Sequence, residues 1–368
     1  MKQILEAIKT NKKKALLFGG IGLLILVLVI IGIIFLVSLF RRYDHHEIEN
    51  LMVRETKNYL RQNQTLSPTE DNPTATIEAS TLISEKYLKD FSKLSRDSNC
   101  DGYVSVIYTN GYLRYEPNLT CANYSTLSLA DQIISQEEIK EENAGLYSLN
   151  DYYTYRGENI NNYVTFAGAL WRIVKFNEEE MMLVLNNVAS EYGQMIYDDR
   201  YNQTTNSNRG YNSFNVSRIE ETLDGIYNDY FANYKNYLLV MDACIDQRSE
   251  TDQINTGSTE CRQTYETPIS LLATYDYINA SIDPYCRTTS SGNCANYNYL
   301  SEADYSWWLL NGTDENNYEV YVVNTRGNIT LSTASARNHL RVVITIPSQS
   351  LYKSGNGSVS SPYEIYQF

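Results

Sequence analysis

The residues of this chain best suited to chemistry are its six cysteines, Cys100, Cys121, Cys244, Cys261, Cys286 and Cys294. An even number, none of them before residue 100, reads as disulfides where the chain meets an oxidising compartment, and pairing between neighbours in sequence is the most economical set. One pair follows from geometry. In CDGYVSVIYTNGYLRYEPNLTC (100–121), alternating strands flank Asn110-Gly111, the dipeptide of a two-residue hairpin, so facing residues have numbers that sum to 221. Cys100 and Cys121 share that sum on a non-hydrogen-bonded rung, where opposed Cα atoms approach closely enough to be bridged. The polar stretches 244–261 and 286–294 are each bounded by cysteines and read as stapled loops.

Other chemistry has little material. Of three histidines, His45 and His46 follow an apolar run and only His339 lies in the C-terminal part, too few for a zinc site or a Ser-His-Asp triad. No GxGxxG, GxxxxGK[ST] or HExxH motif occurs, so nucleotide, dinucleotide and zinc-hydrolase chemistries lack their physical basis. Asp198-Asp199 and Asp314-Glu315 lack the spaced oxygens of a calcium loop and read as solvated acidic faces. No catalytic residue, cofactor or metal is assigned.

The elements that must position these residues begin with ALLFGGIGLLILVLVIIGIIFLVSLF (15–40), an uncharged run that as a helix would reach about 39 Å, more than a bilayer's hydrocarbon core. Five lysines precede it and Arg41 and Arg42 follow, so the positive-inside rule places residues 1–14 in the cytoplasm and the rest outside, as an uncleaved single-pass signal anchor in the cell membrane. A formal charge of −14 overall and +6 over residues 1–42 leave −20 beyond them. That balance argues against nucleic acid or anionic lipid as a ligand.

Beyond the span, residues 41–77 read as a stalk helix and a Pro-containing linker. Residues 78–145 form a small helix-plus-hairpin domain and 146–368 a larger one. Helical spacing is predicted at 80–94, 128–143, 217–231 and 269–280, and strands at 162–176, 181–188 and through the C-terminal third. The fold class expected is α+β.

The order YRGENINNYVTFAGALWRIVKF, ISLLATYDYINA, YSWWLLNG, YVVNTRGNI, LRVVITIPSQSLYKSGNGSVSSPYEI, over about 146–368, resembles an uncharacterised family of exported bacterial domains. That family is similar to C-type lectin-like and formylglycine-generating-enzyme-like (sulfatase-modifying-factor-like) folds. The resemblance implies short twisted strands, few helices and long stapled loops. Residues 44–127 resemble the pilin-like segment set before such domains, although no prepilin cleavage motif precedes the apolar run. An enzyme of the formylglycine type would work through a reactive cysteine pair, but Cys286 and Cys294 close a short Ser/Gly loop and read as a staple.

The function expected is therefore a non-catalytic, membrane-anchored extracellular binding or adhesion protein for a glycan or protein. The alternatives are a structural component of a pilus-like or secretion assembly and, third, a formylglycine-type oxidase. Tyr- and Asn-rich loops supply rigid aromatic contact with adaptable hydrogen bonding, which nominates Tyr211, Tyr297, Tyr299 and Asn311. Strand alternation sends Trp307 and Trp308 to opposite faces, so Trp308 is expected in the core and Trp307 toward a ligand.

Overall fold

The computed structural model of the chain describes residues 42–367 apart from 98, 110, 190, 191, 251–260, 302 and 303. The expected cytoplasmic tail at 1–14, the span at 15–40, Asn110 and most of the loop at 245–260 lie outside the described residues. Among those described, no helix is long and apolar enough to cross a membrane.

Helix α1 (His45–Gln62) starts at a capping box, with Asp44 accepting from the Glu47 amide and Glu47 reaching back to the Asp44 amide. It is not a free stalk. Ile48, Met52, Val53 and Leu60 are buried in the core of the N-terminal unit, a stripe that would be exposed on a stalk. The unit continues through β1 (Thr74–Glu78), α2 (Ala79–Ser84), α3 (Phe91–Leu94), β2 (Asp101–Thr109), β3 (Tyr112–Cys121) and β4 (Tyr124–Ser125), and its sheet runs β1-β2-β3-β4. Strand β1, read from sequence as linker, pairs antiparallel with β2. The β2–β3 register runs from Asp101↔Thr120 to Thr109↔Tyr112, and the Cys100–Cys121 bridge closes its open end with Cα atoms 4.0 Å apart.

Two of the three histidines meet at the start of α1. Glu49, almost fully buried, accepts from Tyr124 Oη at 2.8 Å and from Thr126 Oγ1, and lies 3.0 Å from His46 Nδ1. The His46 ring also touches Tyr366 near the C-terminus, at 5.2 Å between centroids. The hydrogen bond to Glu49 raises the His46 pKa above its ordinary 6.5, against an opposing effect of burial. A group held up in the folded state stabilises fully below its unfolded value, and that contribution is lost as pH rises through the folded one. The urea midpoint should therefore fall more between pH 6 and 8.5 in the parent chain than in His46→Gln. Equal falls would show that the pair contributes nothing.

The chain then runs through α4 (Leu129–Gln136), β5 (Gly145–Leu149), β6 (Tyr152–Arg156), β7 (Tyr163–Phe166), β8 (Ala169–Phe176), β9 (Glu180–Leu185) and β10 (Gln194–Ile196). Next come α5 (Arg218–Asp229), β11 (Met241–Cys244), β12 (Thr264–Thr267), β13 (Ile269–Leu271), α6 (Thr274–Asn279), β14 (Trp307–Gly312) and β15 (Glu319–Val323). Strands β16 (Ile329–Thr333), β17 (Arg337–His339), β18 (Val342–Pro347), β19 (Tyr352–Ser354) and β20 (Tyr363–Ile365) complete it. A nine-stranded sheet has the path β13-β18-β9-β8-β7-β20-β19, with β6 on β8 and β5 on β6. A five-stranded sheet has the order β10-β17-β14-β15-β16.

The α+β expectation is thereby corrected: the fold is mostly sheet with few helices, and nothing in it identifies a lectin-like or pilin-like domain. Of the four helices predicted from spacing, 217–231 forms as α5 from its Ser217 cap, and the other three are cut short. The 80–94 segment breaks after α2, where Lys86 takes φ 64°, and the 128–143 segment stops at Gln136. The 269–280 segment opens as β13, whose Ile269 and Leu271 are buried beside β18, and only its second half coils. In that case a sheet edge buried the apolar residues that an isolated helix would have left half-exposed.

Candidate functional site

The bridges Cys244–Cys261 and Cys286–Cys294 staple two loops on one face of the larger unit. The loops are tied together: Thr289 Oγ1 donates to the Ser249 carbonyl, and the Ser290 amide and hydroxyl to that of Glu250. Beside the first staple lies a cavity of about 240 Å³. Its walls come from β6 (Tyr152), β8 (Lys175), α6 (Tyr275, Asp276 and Asn279) and the first stapled loop (Arg248).

Local structure explains each placement. A bulge lies between Ile173 and Lys175, where β8 slips against β9, and such a bulge bends a strand and re-aims its end. Asp276 and Asn279 stand three apart on one helix and so share a face. The N-cap of helix α6 is Ala273, whose methyl cannot accept a hydrogen bond. Asn311 of β14 does that from across the fold, its Oδ1 accepting from the Thr274 amide at 2.9 Å and hydroxyl at 3.1 Å. The Asn311 Nδ2 donates to the carbonyls of Cys244 and Asp246, so one buried amide fixes both the helix and the stapled loop.

Lys175 Nζ donates to Asp276 Oδ1 at 2.7 Å and lies 5.3 and 5.8 Å from the ring centres of Tyr152 and Tyr275. Burial alone would lower the lysine, but the Asp276 carboxylate more than offsets this and raises it above the usual 10.5. The amine stays protonated. Burial first, then the 2.5 Å bond to Glu180, pushes the Tyr152 phenol far up, so it too stays neutral. Three carboxylates, Asp151, Asp242 and Asp276, face two cations, Lys175 and Arg248, in the lining. One donor stands out: Asn279 Nδ2 is buried without a hydrogen-bond partner among the described residues.

Most residues nominated from the sequence lie elsewhere. Trp307 and Trp308 are both fully buried, because β14 is covered along its whole length on both faces. Alternation does separate them. Trp307 packs on Tyr277 and under Arg341, whereas Trp308 meets Tyr197 and donates from Nε1 to the Met195 carbonyl at 2.9 Å. Trp307 is therefore core, not a ligand platform. Tyr299 is also buried, donating to the Ile173 carbonyl with the Arg172 guanidinium against its ring. Asn311 acts behind the cavity wall. Tyr211 is half-buried, its amide bonded to Asp198 Oδ2 and its hydroxyl accepting from the Gln203 amide. Only Tyr297 is open, 54% exposed and at φ 46°.

All six cysteines are bridged, so the free thiols that an oxidase of the formylglycine type would need are not there. The cluster His45-Asp97-Cys121 counts one disulfide sulfur and Cys244-Asp246-Cys261 counts two, and none of these is a thiolate ligand. Lys175, Tyr152, Tyr275, Asp276 and Asn279 were not singled out from the sequence. Their signal was a charge inside an apolar word: Lys in WRIVKF and Asp in LLATYDYI. No protein-family model, curated protein or solved structure matches this chain.

Proposed function

We propose that the chain is an exported, non-catalytic binding protein whose cavity takes one ring of a neutral, hydroxyl-rich ligand such as a glycan residue. The observation that carries this reading is the buried, unpartnered Asn279 amide in a wall whose other polar groups are already oriented. A hydroxyl is the acceptor that such a donor lacks. Tyr152 and Tyr275 offer ring faces to the apolar side of a sugar, while Asp276 and Lys175 offer an acceptor and a donor for its hydroxyls. The slight excess of carboxylates disfavours an acidic ligand. A lysine held protonated donates hydrogen bonds and does not attack, which supports binding over catalysis. Three disulfides suit an oxidising compartment outside the cytoplasm.

The test is a neutral-glycan array followed by calorimetric titration of the best hit against the parent chain and Asn279→Leu. Losing the amide should weaken binding about tenfold, the factor that corresponds to about 1.4 kcal/mol, on the order of one buried hydrogen bond. An array with no neutral hit, or a variant that binds as the parent does, would overturn the reading.

A further inference from the structure

We propose that the face of the N-terminal unit beside Arg42 docks on a bilayer surface bearing anionic phospholipid headgroups. A groove of about 800 Å³ runs between α2, α3 and the start of the described chain. Arg42, Lys86, Lys89 and Lys93 line it, all exposed, with the rings of Tyr43 and Tyr87 among them. None of the three lysines has an ion pair among the described residues. The carboxylate in the lining, Asp90, is exposed and caps α3, accepting from the Ser92 amide at 2.9 Å and hydroxyl at 2.5 Å, so the four cations outnumber it. Glu85 is an exposed carboxylate on the same turn. The face is therefore cationic in a polypeptide whose formal charge beyond residue 42 is −20. The overall charge argues against anionic lipid, but a charge is felt over about 8 to 10 Å at physiological salt, so the local sign decides.

The chain itself indicates the occupant. The uncharged run 15–40 ends two residues before Arg42, so an apolar phase that accepted that run would begin within a few residues of this groove. Basic residues beside such a run match the chemistry of a headgroup layer, whose phosphates would pair with the cations. This inference is independent of the cavity and its ligand.

The full chain reconstituted into nanodiscs tests it, using phosphatidylcholine alone and phosphatidylcholine with phosphatidylglycerol. Amine acetylation of Lys86, Lys89 and Lys93 is read by mass spectrometry against Lys235 and Lys353 as internal references. In anionic discs the three should react about fivefold more slowly, the factor given by about 1 kcal/mol per basic residue at an anionic surface, and high salt should restore their rates. The triple variant K86Q/K89Q/K93Q, followed by hydrogen exchange over residues 83–94, should lose the difference between disc types that the parent shows. Equal labelling in both discs, slowing in detergent without lipid, which would signal a second copy on this face, or a chain that enters neither disc would each overturn the proposal.

Discussion

Arg341→Ala should lower the unfolding free energy by about 3 to 5 kcal/mol, from three stranded carbonyls and a void, which is most of the stability of a marginal domain. The side chain is 2% exposed, and its three hydrogen bonds all go to main-chain carbonyls: Leu185 from Nε at 2.9 Å, Leu300 from Nη1 at 2.8 Å and Asn186 from Nη2 at 2.8 Å. These acceptors belong to the end of β9 and to the segment after the third disulfide. The guanidinium thus ties sheet to loop, with the Trp307 ring 5.1 Å away. Burial, and second the nearby Arg172, push its pKa down to about 10, which leaves it charged at neutral pH. Truncation would strand the carbonyls in a dry site and open a void under Trp307. Arg341→Lys should recover less than half of the loss, because an ammonium cannot address three acceptors laid out for a planar fork. Urea unfolding at constant m measures this, with the exposed Arg326→Ala as a control expected within about 0.5 kcal/mol of the parent. A loss below about 1 kcal/mol for Arg341→Ala would mean that water takes over the carbonyls and that the residue is no keystone.

What could be read from the sequence was what is local. The Asn-Gly hairpin fixed its register and its disulfide because every pairing there follows from one turn. In α1 the spacing of Ile48, Met52 and Leu60 marks one face of the helix, but not its partner: a spacing says that a face will be buried, never against what. Alternation separated Trp307 from Trp308, but the inference that one must be exposed required a sheet with an open face, and β14 has none. The cavity was hidden for a related reason. Lys175, Asp276 and Arg248 are distant in sequence, and a bulge, a helix capped from another strand and a disulfide bring them together. None of these long-range devices leaves a periodic trace. Arg172 and Arg341, in WRIV and RVVI, read as words of a motif, yet both are buried, and their role is structural.

The second large effect is expected at the Lys175–Asp276 pair, where stability and binding should come apart. The two side chains are 19% and 6% exposed, so removing one partner leaves a largely desolvated charge. Lys175→Met should therefore cost about 3 kcal/mol, and Asp276→Leu a similar amount. The double variant replaces both charges by apolar groups of comparable size and should lie within about 1 kcal/mol of the parent, a coupling of several kcal/mol in a double-mutant cycle. Its stability should also lose a pH dependence. The folded pKa of Lys175 lies above the unfolded 10.5, so the pair's contribution is complete below pH 10.5 and disappears as pH rises through the folded value. The parent should show that alkaline loss, and the double variant should not. Binding should behave otherwise: the double variant, though folded, should lose the neutral-glycan ligand along with both single variants, since the donor and the acceptor in the cavity wall are gone. Additive stabilities would show that the pair is too well solvated to matter. A double variant that folds and still binds would take the ion pair out of the ligand site and leave it a structural strut between β8 and α6.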